Sequence, residues 1–148
     1  MRIVLKILGW IAALLVAALG TYVVGVIANA QFVIGAHDVP VSFGDRLNMT
    51  AFDVSNMWLY YAVIVIALLL GFGIAAVVKR FLPGLARVAY PIAGAAALGV
   101  VLGLMYLQFQ TIPISGARSA LGFTAQVVAG GIGGWIFANL LGRAKAAA

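Results

Sequence analysis

The sequence predicts an all-α membrane protein: a four-helix transmembrane bundle with one extended external loop. Three observations predict it. Of 148 residues, 66% are hydrophobic and only 8% charged, with a mean hydropathy of +1.19. A water-soluble domain carries roughly a quarter charged residues, so this chain could not cover its own surface in water. Four uncharged stretches reach the length of about 20 residues that a helix needs to cross a hydrocarbon core. The basic residues gather between these stretches in an alternating, lopsided pattern.

The first predicted span is Ile7–Ile27. Arg2 and Lys6 before it, and Ala28-Asn29-Ala30 after it, imitate a secretory signal with its cleavage site. A signal core is only about 7–15 residues long, so a retained membrane span is expected instead. Residues 28–56 then form the one soluble segment of any size. The second span, Met57–Val78, is joined to the third, Val88–Phe109, by a short connection turning at Pro83-Gly84. A second short connection, with Pro113 and Gly116, leads to the fourth span, Ser119–Leu141. Backbone amides in lipid must be paired within each segment, which makes every span a helix. The whole chain is one domain.

Orientation follows from the cations. Arg2, Lys6, Lys79, Arg80, Arg87, Arg143 and Lys145 fall on one side. Arg46, Arg118 and the three acids, Asp38, Asp45 and Asp53, fall on the other. Both termini are therefore expected in the cytoplasm, of a bacterial inner membrane. Trp58, Tyr60, Tyr61, Tyr106 and Phe109 would mark the outer interface, and Trp10, Tyr90 and Trp135 the inner one, because amphipathic rings settle at headgroup depth.

Lipid offers helices no hydrophobic reason to associate, so close approach through small residues must hold them together. The fourth span has Gly122, Gln126, Gly130, Gly134 and Ala138 at four-residue steps; the third has Pro91, Ala95, Gly99 and Gly103; the second has Ala67, Gly71 and Ala75. These rows are expected to pack the bundle. Surplus small-residue surface would serve a second copy or another membrane protein.

Chemistry-bearing residues are few. The chain has no Glu and no Cys; thiolate chemistry and disulfides are excluded, and a membrane-embedded carboxylate relay has nothing to build on. The net charge of +6 is dispersed between apolar runs, so nucleic acid is not an expected partner; membrane lipids are. No cofactor is expected. Near the outer leaflet Gln108, Arg118 and Gln126 are candidates for a polar pocket holding an anionic headgroup or ligand, with local pairing of Arg118 as the plainer reading. His37-Asp38 could supply general acid–base chemistry, though one His cannot build a zinc site alone; a polar turn into Val39-Pro40 is the plainer reading of the pair. Thr50 to Asp53 reads as a capping box entering the second span. Val39, Val41 and Phe43 fit a short extended segment or a loop on the membrane.

The reading of function that follows is a small non-enzymatic inner-membrane protein acting through helix packing, as an accessory or scaffold subunit or a homo-oligomer. The alternatives are a small transporter or lipid-handling protein built around Arg118, and a membrane enzyme using His37 and Asp38.

Overall fold

A computed structural model describes residues 2–38 and 40–146; the side chains of Arg2 and of residues 144–146, and with them that of Lys145, lie outside the description. Five helices follow in order: α1 (Arg2–Gly35), α2 (Phe43–Asn56), α3 (Trp58–Phe81), α4 (Ala89–Phe109) and α5 (Ala120–Ala146). Four of them, all but α2, are long and apolar enough to cross a membrane. No strand occurs among the described residues. The protein is an integral membrane protein.

Each span packs against its chain neighbours, and α5 closes the ring against α1, while α3 and α5 face each other across the diagonal. This is an up-down-up-down bundle, the arrangement that short connections favour. Its core is one cluster of apolar side chains running the length of the spans.

One end is pinned by aromatics, one from each span. Phe72 and Phe137 stack at 4.4 Å between centroids, while Tyr90 and Trp10 meet Phe137 edge-on at 4.9 and 5.3 Å. Lys79 lies over the Tyr90 ring and its Nζ donates to the Tyr90 hydroxyl at 2.7 Å. Tyr90 and Tyr60, expected at the two interfaces, are therefore buried. Their rings contribute more as packing inside the bundle than at its rim, because each hydroxyl has a partner there. Trp58 and Trp135 do face outward.

Glycines set the closest approaches. A Cβ on Gly94 would run into the Gly130 carbonyl, one on Gly130 into the Gly94 carbonyl, and one on Gly134 into the backbone of Tyr90 and Pro91. Gly122 is wedged against the Gly116 carbonyl. The α5 row thus packs as its spacing predicts. On α4 the close face is Tyr90-Gly94-Leu98-Leu102, one residue out of step with the expected row. Gly99 makes only an ordinary contact, 3.5 Å from Val127 Cγ2 to its Cβ position, and Gly103 meets nothing within 4 Å. On α3, Gly71 does meet α4, with its Cβ position 3.1 Å from the Ala93 carbonyl.

The segment between the first two spans is folded. The first helix runs eight residues past its expected end and stops at Gly35, where Ala36, His37 and Asp38 form a turn and Asp38 adopts φ 47°. Asp is one of the residues that tolerate this left-handed conformation. The next helix begins at Phe43, and its cap is Ser42, three residues before Asp45: Ser42 Oγ accepts from Asp45 N at 3.2 Å and donates to Asp45 Oδ2 at 2.6 Å. Thr50 and Asp53 lie inside α2 and cap nothing. The N-cap of α3 is Met57, without a side-chain hydrogen bond, because α2 runs almost directly into α3. Val41 lies in the approach to α2 and Phe43 is its first residue, so neither belongs to a strand; Val39 lies outside the described residues.

Candidate functional site: the α1–α2 hairpin end of the bundle

Helix α2 runs back alongside the C-terminal end of α1, antiparallel to it. The contacts fix the register: Tyr22 OH donates to the Val54 carbonyl at 2.6 Å, Asn29 Nδ2 approaches Asp53 Oδ2 at 3.4 Å, and Arg46 Nη1 donates to Gln31 Oε1 at 3.0 Å. The face of α2 turned to α1 is largely polar, with Arg46, Thr50 and Asp53 half-buried beside Val54, which packs against the core. Its other large apolar side chains are left outward: Phe43 is 79% exposed and Phe52 66%, with Leu47 and Met49 also open. Phe43, Leu47 and Ala51 are spaced at four residues and share one face. Asn48, Met49, Phe52 and Asp53 lie on another, and with Ala30, Val33 and Ile34 of α1 they enclose an open groove of about 340 Å³.

Beneath this hairpin the connection from α4 to α5 is tucked into the bundle. Gln110 ends α4 with φ 55°, and the turn Ser115–Arg118 is held by Gly116 N, which donates to Asn29 Oδ1 at 2.7 Å. A Cβ on Gly116 would fall 2.6–2.7 Å from Asn29 backbone and side-chain atoms. Asn29 is buried, so one amide spends its acceptor on the loop and its donor toward Asp53 and Met57 Sδ. Sequence reasoning passed over Asn29 as part of a cleavage-site imitation. Its position inside a stretch too apolar to leave an amide unpaired was the signal that could have found it.

The three residues predicted to form a polar pocket are engaged separately. Gln126 is 1% exposed: its Oε1 accepts from the Tyr60 hydroxyl at 2.8 Å, and its Nε2 donates to the Gly25 carbonyl at 2.8 Å. It ties α1, α3 and α5 together inside the bundle. Gly25 is needed there, since a Cβ at that position would sit 2.6 Å from Gln126 Oε1. Arg118 is exposed, and its Nε donates to the Ile112 carbonyl at 2.9 Å, bracing its own loop. Gln108 is exposed on α4. His37 and Asp38 stand at the tip of the hairpin, where His37 Nδ1 lies 2.8 Å from the Val33 carbonyl, the contact of a helix end. Among the described residues no group of three or more His, Cys, Asp or Glu could hold a metal.

Comparison with protein families, with characterised proteins and with solved structures finds no match to this chain.

Proposed function

We propose that this chain is a non-enzymatic membrane protein that acts through helix packing, as an accessory or scaffold subunit or as a homo-oligomer. In this reading it sits in a bacterial inner membrane with both termini in the cytoplasm. Seven of nine Lys and Arg fall on the side so assigned, which supports that orientation.

The observation that carries the reading is the external hairpin. A 14-residue helix outside the four spans has no buried residue and turns Phe43 and Leu47 outward on one face. Monomeric proteins seldom leave contiguous apolar patches uncovered, and those that exist mark interaction sites. The bundle below gives this hairpin a rigid base, since its interior is packed on glycine contacts and its buried polar groups are paired with one another. Gly103, with open space around it, offers a second place where another helix could approach closely.

The test is purification in mild detergent with the particle mass measured by light scattering. A multiple of the chain mass, or a stoichiometric co-purifying membrane protein, is the expected result, and Phe43→Ser with Leu47→Ser should dissociate it. A strictly monomeric particle without a partner counts against the reading.

A further inference from the structure

The groove between α1 and α2 differs in chemistry from the anion pocket that the sequence suggested. Its walls are mostly apolar, from Ala30, Val33, Ile34, Met49 and Phe52, with the neutral amide of Asn48 and one charged lining residue, an acid, Asp53. The contact Asp53 receives from Asn29 is long, 3.4 Å, and comes from a neutral amide. A carboxylate offers about four lone-pair sites, so accepting capacity is left. The two basic residues of this end are occupied elsewhere, Arg46 with Gln31 and Arg118 with Ile112. A ligand suited to this groove has an apolar body and one cationic hydrogen-bond donor.

Height selects the source of such a ligand. Along α1, Ala30 lies 24 residues beyond Lys6, about 36 Å at 1.5 Å per residue, and Ile34 about 42 Å. The hydrocarbon core is about 30 Å thick and the bilayer with its headgroups about 40–45 Å. With Lys6 anchored at one interface, the groove falls in the headgroup layer of the other. There phospholipid is the solvent, and mass action fills even a weak site.

We propose that this groove seats a phospholipid of the outer leaflet whose headgroup carries an ammonium, with the ammonium donating to Asp53 and the upper part of the lipid lying against Phe52, Met49 and Val33. This goes beyond the assembly reading, whose face is Phe43 and Leu47, and stands without it.

The test must read this groove alone, because the cationic end of the bundle will hold anionic lipid of its own. A photoreactive p-benzoylphenylalanine is placed at Met49 in the full chain, with Val33 as a second probe position should the first disturb folding. The protein is reconstituted into nanodiscs of equimolar phosphatidylethanolamine and phosphatidylglycerol with identical acyl chains. After illumination the crosslinked lipid is identified by mass spectrometry. The phosphate and the glycerol backbone are common to both lipids, so the ratio compares an ammonium headgroup with an uncharged glycerol one.

A charge-assisted hydrogen bond predicts an excess of the ethanolamine lipid of about tenfold. Asp53→Asn should bring the ratio near one, whereas Asp38→Asn, outside the groove, should leave it unchanged. Phe52→Ala should lower the total yield without changing the ratio. Equal crosslinking of the two lipids in the unsubstituted background overturns the proposal, as does a ratio indifferent to Asp53→Asn. Crosslinking to a second copy or another protein in place of lipid overturns it as well.

Discussion

The Tyr60 hydroxyl donates to Gln126 Oε1 at 2.8 Å across the diagonal of the bundle, a second link between α3 and α5 besides the Phe72–Phe137 stack. Gln126 then hands its own amide proton to the Gly25 carbonyl, so three of the four spans share one buried hydrogen-bonded chain. Removing the hydroxyl with Tyr60→Phe strands one side of this chain. Hydrogen bonds between membrane helices contribute roughly 0.6–2 kcal/mol each, and a loss of that size is expected in unfolding from bicelles or mixed micelles. Gln126→Leu should cost a similar amount. The double variant should cost less than the sum, because each single change removes the same contact; strict additivity would mean the two side chains act independently.

Gly94, Gly130 and Gly134 have backbone where a Cβ would go. Gly94→Ala or Gly134→Ala must therefore separate α4 from α5, and a loss of about 1–3 kcal/mol is expected from overpacking of this kind. Gly103→Ala, in open space on the same helix as Gly94, should stay within about 0.5 kcal/mol of the parent. Thermal unfolding in detergent distinguishes the two classes. Equal sensitivity at Gly94 and Gly103 would contradict the packing described.

Asn29→Ala takes the acceptor from a buried backbone amide, Gly116 N. An unpaired buried donor costs about 1–3 kcal/mol, and the turn Ser115–Arg118 should lift away from α1. Hydrogen exchange at Gly116 and Ala117, both buried in the parent, should accelerate strongly, while exchange in the middle of α4 stays slow. Unchanged protection at Gly116 would show that the turn is held by packing alone.

The absence of cysteine makes topology directly measurable. Ala51→Cys, exposed on α2, is expected to react with a membrane-impermeant maleimide added outside intact cells. Gly84→Cys, exposed in the Pro83–Leu85 turn, should react only after permeabilisation. The opposite pattern would invert the proposed orientation.

The four spans were legible because lipid imposes one requirement on every residue of a crossing helix, and composition over about 20 residues reports it. The α5 glycine row was legible for a related reason: glycines at 122, 130 and 134, on one four-residue spacing, have few uses besides close packing. The α4 row was not, because Pro91, Ala95, Gly99 and Gly103 look as suitable as the Gly94 face and only the partner helix decides between them. Helix α2 went unread since its 14 residues are too short and too polar to register as a span, although Ser42 and Asp45 carried its start signal. Gln126 and Asn29 find their partners on elements far away in the chain: Tyr60 and Gly25 lie 66 and 101 residues from Gln126, and Gly116 lies 87 from Asn29. Local pattern holds no information about such pairings, so Gln126 read as a pocket residue when it is a fastener.

Met57 is the single residue between α2 and α3, closing the end of one helix through its amide to Asp53 and opening the next through its carbonyl to Tyr60. A joint this short has no slack. A pull or twist applied to α2 outside the membrane is delivered at once to Tyr60, three residues on, and through it to the polar fastener at the heart of the bundle. Any displacement of the hairpin would therefore bear on the spacing of the spans themselves.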